Sequence, residues 1–430
     1  MHSEIKPLRI LVDHGGYGFA NLGDLALLQV AVIRIYQHFP DAKLFIFTDS
    51  TQTLKKYFPG AIPVLPQLRK NWNEAKIIPI PERFLPEPWT KKLSHLEVLL
   101  KSRIPRIAHF MIRLNDRLLR TRSEAGNDYF SIIQDSDMVV VSGGGFLTDY
   151  FKNHADGILD TLQLAQNLGK PTAMFGQGIG PLENKFVRKK AKRVLPRLKV
   201  LVLRDSLTSM DYGKVFNVPQ DRIIVTGDDA IEVAIKQAQQ SEGKRNIGVN
   251  IRQAYYAGNF QHLLPAIGGL LEDISRSNGI PITPIPVQIG KSNSDLSSIA
   301  QMCDLDAAEY EFAQKILSPE DLVRQINRCR VVVTGSYHAG VFALACGIPV
   351  VALVGSDYYE RKFNGLAFQF GLGCKIVQLN SETILADLRK AIENGLHSQN
   401  EIESKLIEKA KQQVEISRNA WSRFFALERN

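Results

Sequence analysis

Val331 to Leu353 reads VVVTGSYHAGVFALACGIPVVAL, and this stretch constrains the fold of the chain more than any other. It predicts a buried strand, a polar turn, a short helix, a Gly-Pro break and a second buried strand. A run of three valines suits a strand covered on both faces, as in a parallel sheet. The turn sets Gly335, Ser336, Tyr337 and His338 where a strand ends and a helix begins. In open α/β sheets that point borders the ligand crevice. Unpaired N–H groups and the helix dipole favour an anion there. An imidazole in such a place is a candidate for proton transfer.

The pattern recurs. Val139 to Asp149 reads VVVSGGGFLTD; both copies lead into a helical stretch, a Gly-x-Pro and another apolar strand. Strands and helices alternate through both halves, which predicts an α/β protein with parallel sheets. Two related units predict two Rossmann-like domains facing a cleft, an arrangement like the GT-B fold. The polar stretch Gln237–Asn246 is read as the linker. The expected units are 1–236, with a basic helical insertion near 91–122, then 247–400, then a terminal amphipathic helix over 401–430. Pro59 to Pro88 is read as an irregular surface excursion.

At 430 residues the chain can bury two or three cores. No apolar run approaches the roughly 20 residues needed to span a bilayer. The opening residues run straight into a strand without a signal-peptide pattern, so the expected location is cytoplasmic. Cys303, Cys329, Cys346 and Cys374 lack CxxC spacing and are read as reduced thiols. No His/Cys cluster has zinc-site spacing, so neither a metal nor a cofactor is expected.

The net charge of +9 is uneven. Lys91 to Arg122 holds nine Lys/Arg against Glu97 and Asp116, a local +7. Ile104, Ile107, Met111, Leu114 and Leu118 recur at helical spacing beside an arginine face. This is either a solvated helix face or a basic amphipathic surface for anionic lipid or a diphosphate-linked glycan. The latter would place the protein at the inner face of the plasma membrane. Nucleic acid is not expected, because aromatics are not interleaved with the cations.

Several residues are candidates for chemistry. Gly16, Asn21, Gly23 and Asp24 lie in a glycine-rich turn that fits neither GxGxxG nor a Walker loop. Gly144 and Gly145 close the second valine-rich strand, and Gln177 sits in FGQGIGP. Asp149 is either an N-cap or a carboxylate that orients or deprotonates a hydroxyl. Arg204, after VLVL, suits bidentate binding of carboxylate or phosphate, or a structural ion pair. Arg252, after GVNI, has the matching place in the second half. Lys362 and Arg361 compete to reach an anion, while Tyr358 and Tyr359 can stack on a sugar face. Asp228 and Asp229 are assigned no chemistry.

The order of GGYGFANLGD, SGGGFLTDY, FGQGIGP, LRDSLTSMDY, TGDDA, GVNIR, TGSYHAG and YYERKFNGL resembles the polysaccharide pyruvyl transferase family over nearly the whole chain. The resemblance implies transfer of pyruvate from phosphoenolpyruvate to a sugar as a ketal, with release of phosphate. The implied partners are phosphoenolpyruvate and a glycan acceptor, lipid-linked or free. Its implied roles are His338 as general acid, Arg204 and Lys362 as anion holders, and Asp149 or Asp24 as activator of an acceptor hydroxyl. Many relatives carry arginine two residues before the motif histidine, where this chain has Ser336. That charge must then come from Arg204, Lys362 or Arg361. Two other readings stand beside this one: a GT-B glycosyltransferase with a nucleotide-sugar donor, using Glu360, and a non-catalytic glycan-binding protein.

Overall fold

The computed structural model describes residues 6–78, 86–118, 124–238, 245–253, 258, 260–290 and 294–427. The valine-, isoleucine- and leucine-rich runs form two parallel sheets, one in each lobe. The first lobe holds β1 (Arg9–Asp13), β2 (Lys43–Phe47), β3 (Ile62–Val64), β4 (Met138–Val141), β5 (Gly144–Leu147), β6 (Thr172–Ile179), β7 (Val200–Leu203) and β8 (Ile223–Val225). Their order is β3-β2-β1-β4-β6-β7-β8, with β5 paired to β6. The second lobe holds β9 (Asn246–Asn250), β10 (Ile282–Pro284), β11 (Cys329–Thr334), β12 (Val350–Val354) and β13 (Cys374–Gln378). Its order is β10-β9-β11-β12-β13.

Each order reverses once, between β1 and β4 in the first sheet and between β9 and β11 in the second. Ligands of open α/β sheets bind beyond the strand ends at such a reversal. The four strand ends are Asp13–Gly16, Ser142–Gly145, Asn250–Arg252 and Thr334–His338. The topology therefore aims both valine-rich turns at the same place.

Successive strand residues face opposite sides of the sheet and feed different cores. Ile10, Val12, Val140, Phe175 and Val202 face a core that is continuous with that of the second lobe. Leu11, Val139, Val141, Met174 and Leu201 face a separate outer core. That outer core is covered by helices Pro105–Leu118, Glu124–Asp135, Lys152–Asn167 and Lys185–Val194.

Three sequence expectations need correction. The Pro59–Pro88 stretch contains β3 and a helix, Pro66–Glu74. This helix buries Trp72 and Arg69, and Arg69 pairs with the buried Asp13 at 3.0 Å. The basic segment is two helices, Glu87–Arg103 and Pro105–Leu118, because proline disfavours helical backbone at the residue before it. Within that segment residues 119–123 lie outside the described residues. The terminal helix is a single rod of 44 residues, Ile384–Leu427, so the expected boundary at 400 falls inside it. It starts on the second lobe against β11 and β13 and ends on the first against β7 and β8. There Trp421 stacks on Phe175 with ring centroids 3.6 Å apart. Of the expected linker, residues 239–244 lie outside the described residues.

Candidate functional site

The first-lobe turn is fixed by a helix cap. Asn21 Oδ1 accepts from the N–H groups of Gly23 at 3.0 Å and Asp24 at 3.1 Å. This starts helix Leu22–His38 and satisfies two of its unpaired donors. Asn21 also reaches the second lobe, donating through Nδ2 to Gln288 Oε1 at 3.4 Å. Leu22 N donates to Val287 O at 2.9 Å beside it. This suture brings Gly23 under His338. A Cβ on Gly23 would lie 2.0 Å from His338 Cγ, so only glycine lets the imidazole approach this backbone.

The second-lobe turn is held from within. Thr334 Oγ1 donates to Asn250 Oδ1 at 3.1 Å and accepts from Ser336 N at 2.8 Å. Gly335 N donates to Asn250 O at 3.1 Å. These bonds present Tyr337 and His338 in the first turn of helix Tyr337–Ala345. The next helix, Asp357–Phe370, carries Lys362 into the cleft. Tyr358 Oη donates across the cleft to Gly145 O at 3.2 Å.

Two cations converge over one glycine. A Cβ on Gly145 would lie 2.9 Å from Arg204 Nη2 and 3.1 Å from Lys362 Cε. The Arg204 guanidinium sits 4.1 Å from the Tyr337 ring centroid, within cation–π range. Its Nη1 lies 3.6 Å from Asp228 Oδ2, too far for a direct hydrogen bond. Arg252 lies at the same cavity, its Nη1 3.2 Å from Asp295 Oδ1. Asp295 also accepts from Asn250 Nδ2 and from the N–H groups of Val287 and Gln288.

Burial shifts these groups toward their neutral forms. Lys362 is held well below the ordinary lysine value by desolvation and then by Arg204. His338 is held well below the usual imidazole value by desolvation, Arg204 and Lys362. Desolvation raises Asp24 against the pull of Lys362, Arg204 and Arg252. Asp228 is raised to about 6, again chiefly by desolvation. His338 Nε2 and Asp228 Oδ2 stand 4.0 Å apart, both buried and without a hydrogen-bond partner. Shifted acids, bases and cations around one cleft make it the candidate functional site.

The cavity they line measures about 190 Å³. Larger cavities of about 350 and 610 Å³ lie elsewhere. Neither gathers Arg204, Lys362 and His338, so size alone does not locate the chemistry. The cleft brings together Asn21, Asp24, Gly145, Arg204, Arg252, Ser336, Tyr337, His338 and Lys362 from the sequence candidates. Gly23 supports the imidazole from behind.

Other candidates stand outside the lining. Asp149 accepts from the N–H groups of Glu183 at 2.6 Å and Asn184 at 3.0 Å, bracing the loop after β6. Gln177 is fully buried and donates to Ser142 O and Phe175 O, both at 2.7 Å. Gly16, Gly144, Gly335, Arg361 and Glu360 do not line the cavity either. Sequence reasoning missed Asp228, whose motif looked like a turn, and also His154 and Gln288. His154 Nε2 donates to His14 O at 2.9 Å, and the ring is held below the ordinary histidine value by burial. The signal for Asp228 was its place one residue after a strand-end glycine, three strands from Gly145.

The family description polysaccharide pyruvyl transferase matches residues 21–357. No curated protein sequence matches the chain. Among solved structures, the chain is similar to a UDP-GlcNAc 2-epimerase from Neisseria meningitidis bound to UDP-GlcNAc. The TM-score is 0.55 at 11% identity, over 98% of this chain and 100% of that one. It is similar also to the glycotransferase of kitacinnamycin, with TM-score 0.51 at 12% identity and 99% of each chain covered. These likenesses show the fold: two Rossmann-like lobes in a GT-B-like arrangement.

Proposed function

We propose a function from the premise that this chain belongs to the polysaccharide pyruvyl transferase family, whose model spans residues 21–357. The chain is a transferase of polysaccharide pyruvylation. Its donor is phosphoenolpyruvate, and its product is a cyclic ketal on a glycan. The observation that carries this reading is the convergence of Arg204 and Lys362 over Gly145, beside the unpartnered Nε2 of His338. Phosphoenolpyruvate brings a carboxylate and a phosphate. Bound here, its negative charge opposes the desolvation and the Arg204 repulsion that depress Lys362, and so favours the ammonium form.

The same dianion raises the proton affinity of His338, with Asp228 4.0 Å away on its other side. His338 then protonates the methylene carbon, which becomes a methyl group. One sugar hydroxyl attacks the adjacent oxocarbenium-like carbon. Phosphate departs as its C–O bond breaks, and a second hydroxyl closes the ketal. Of the two hydroxyl protons, one replaces that given by His338 and one leaves with phosphate. Asp24, its proton affinity raised by burial, faces the same space, and its carboxylate form is suited to take a hydroxyl proton. Arg204, Arg252 and Lys362 supply the positive field that the Ser336 position lacks.

The cavity volume favours a small donor. About 190 Å³ is below the roughly 300–1,000 Å³ of pockets for drug-sized ligands. A nucleotide-sugar donor needs more space, and Glu360 stands outside the lining. A glycan acceptor on a lipid carrier places the enzyme in the cytoplasm, at the inner face of the plasma membrane. No helix among the described residues is long and apolar enough to cross a membrane.

Thermal unfolding with phosphoenolpyruvate against a panel of nucleotide sugars tests the donor. Ligand at 100 times its Kd stabilises by about 2.7 kcal/mol, so a shift with phosphoenolpyruvate alone is expected. Stabilisation by a nucleotide sugar and none by phosphoenolpyruvate would transfer the reading to a glycosyltransferase. Phosphate release with lipid-linked glycans then identifies the acceptor.

A further inference from the structure

Eight of the twenty exposed large apolar side chains among the described residues fall between Trp89 and Leu118. Seven belong to the two helices Glu87–Arg103 and Pro105–Leu118, and Ile104 joins them. The second helix shows how the face is built. Pro105, Ala108 and Ile112 point inward. Ile107, Phe110, Leu114 and Leu118 point outward, with Phe110 66% and Leu118 72% exposed. At 100° per residue these four form one stripe, and the exposed Arg106, Arg113 and Arg117 form the adjoining stripe. Lys92 and Arg103 add exposed charge from the first helix.

An independent element repeats this chemistry. Helix Lys185–Val194 turns Lys190 inward to Asp156 and Asp160, 2.6 Å from each. Outward it shows Lys185, Lys189, Lys192, Arg193 and Phe186. Phe186 is 82% exposed, the most of any large apolar side chain among the described residues. Both elements pack on helix Lys152–Asn167, on the outer side of the first sheet. Asn167 joins them, donating to Ser102 O and accepting from Arg197 Nη1. The two basic-apolar faces thus share one layer of the first lobe, on the side away from the second lobe.

We propose that this layer is a docking face for an anionic phospholipid surface, with Phe110, Leu118 and Phe186 entering the acyl boundary and the flanking arginines and lysines meeting the headgroups. The charge complementarity selects the occupant. A surface helix with an apolar stripe bordered by cations lies in the plane of an anionic membrane. Each cation near such a surface contributes about fivefold in binding. The second element extends the contact beyond the single basic segment visible in the sequence. The face stands apart from the cleft, so its test reads lipid binding and not turnover.

The full chain is sedimented with vesicles of phosphatidylglycerol and phosphatidylcholine, and with phosphatidylcholine alone. Binding to the anionic vesicles that weakens with added salt is expected, with little on the neutral ones. Arg106→Glu, Arg113→Glu and Arg117→Glu combined should lower binding by at least about tenfold at an unchanged unfolding temperature. Phe110→Ser with Leu118→Ser, and separately Phe186→Ser, should each weaken it. Equal binding to neutral vesicles, or variants that bind as well as the parent, would overturn the proposal. Self-association abolished by Phe110→Ser would assign the face to a second copy instead.

Discussion

Asp228 and Glu232 are four residues apart and both buried, yet they meet opposite fates. Glu232 accepts from Arg34 at 2.7 Å and from Arg418 at 2.7 Å, and is held down to about 2. Its neighbour Asp229 takes Arg34 Nη1 at 3.2 Å and the Ser417 hydroxyl. This seam ties helix Leu22–His38 and the terminal helix to the first lobe. Asp228 is buried beside the residues that line the cleft, with Arg204 at 3.6 Å and His338 at 4.0 Å, and is raised to about 6. Burial is alike; the partners differ. Direct hydrogen-bonded partners keep a buried carboxylate charged, whereas near misses leave it ready to exchange a proton. The seam holds the lobes together, and the cleft is left electrostatically unfinished for a ligand to complete.

The contrast can be broken first on the cleft side. His338→Ala should lower phosphate release on the order of 10²–10⁴-fold with the fold intact. Steady-state turnover with phosphoenolpyruvate checks it, and wild-type turnover would remove the acid role. On the seam side, Arg34→Met removes the guanidinium shared by Asp229 and Glu232 and leaves them Ser417 and Arg418. It should destabilise by about 3–5 kcal/mol in denaturant titration. Arg204→Met should instead change stability by under about 1.5 kcal/mol, because it also removes the repulsion on Lys362 and His338. The same substitution should abolish donor binding.

The pH dependence sharpens the comparison. The raised value of Asp228 means that its contribution favours folding below pH 4 and is lost as pH rises toward about 6. A shift of about two pH units corresponds to about 2–3 kcal/mol. Asp228→Asn should therefore flatten that part of the stability curve and raise stability at pH 7. Glu232 works the other way: its contribution is present above about 4.5 and lost as pH falls through about 2. Glu232→Gln should lower stability at pH 7. At Gly23→Ala the new methyl group displaces the imidazole. Overpacking of about 1–3 kcal/mol and a weakened turnover should accompany it.

Much of the architecture was legible because buried parallel strands announce themselves. The runs at Val139–Val141 and Val331–Val333 could be read as strands, and the glycines after them as ligand-facing turns. The converging cations Arg204, Arg252 and Lys362 were legible for the same reason, since each follows a recognisable strand or loop. What escaped the sequence depends on distance along the chain. Asp13 pairs with Arg69, 56 residues away, which turns a proline-rich stretch into a packed helix. Asp149 carries the right residue type near the right strand, but its oxygens are taken by Glu183 and Asn184. Asp228 looked like a turn aspartate until the fold placed His338, 110 residues later, beside it. The apolar stripe at Ile107–Leu118 was visible as a period and as a candidate surface, but the exposed Phe186 that shares its layer was not.

The terminal helix reverses the usual order of maturation. Multi-lobed chains generally complete their first-synthesised lobe first. Here Trp421 covers Phe175 and Arg418 reaches Glu232, 186 residues earlier, so the first lobe waits for residues made after the second. Until those residues are made, Phe175 lacks its Trp421 cover, and Asp229 and Glu232 have Arg34 without Ser417 and Arg418. A truncation before residue 413 would spare every residue of the cleft and still remove the cover from the opposite lobe.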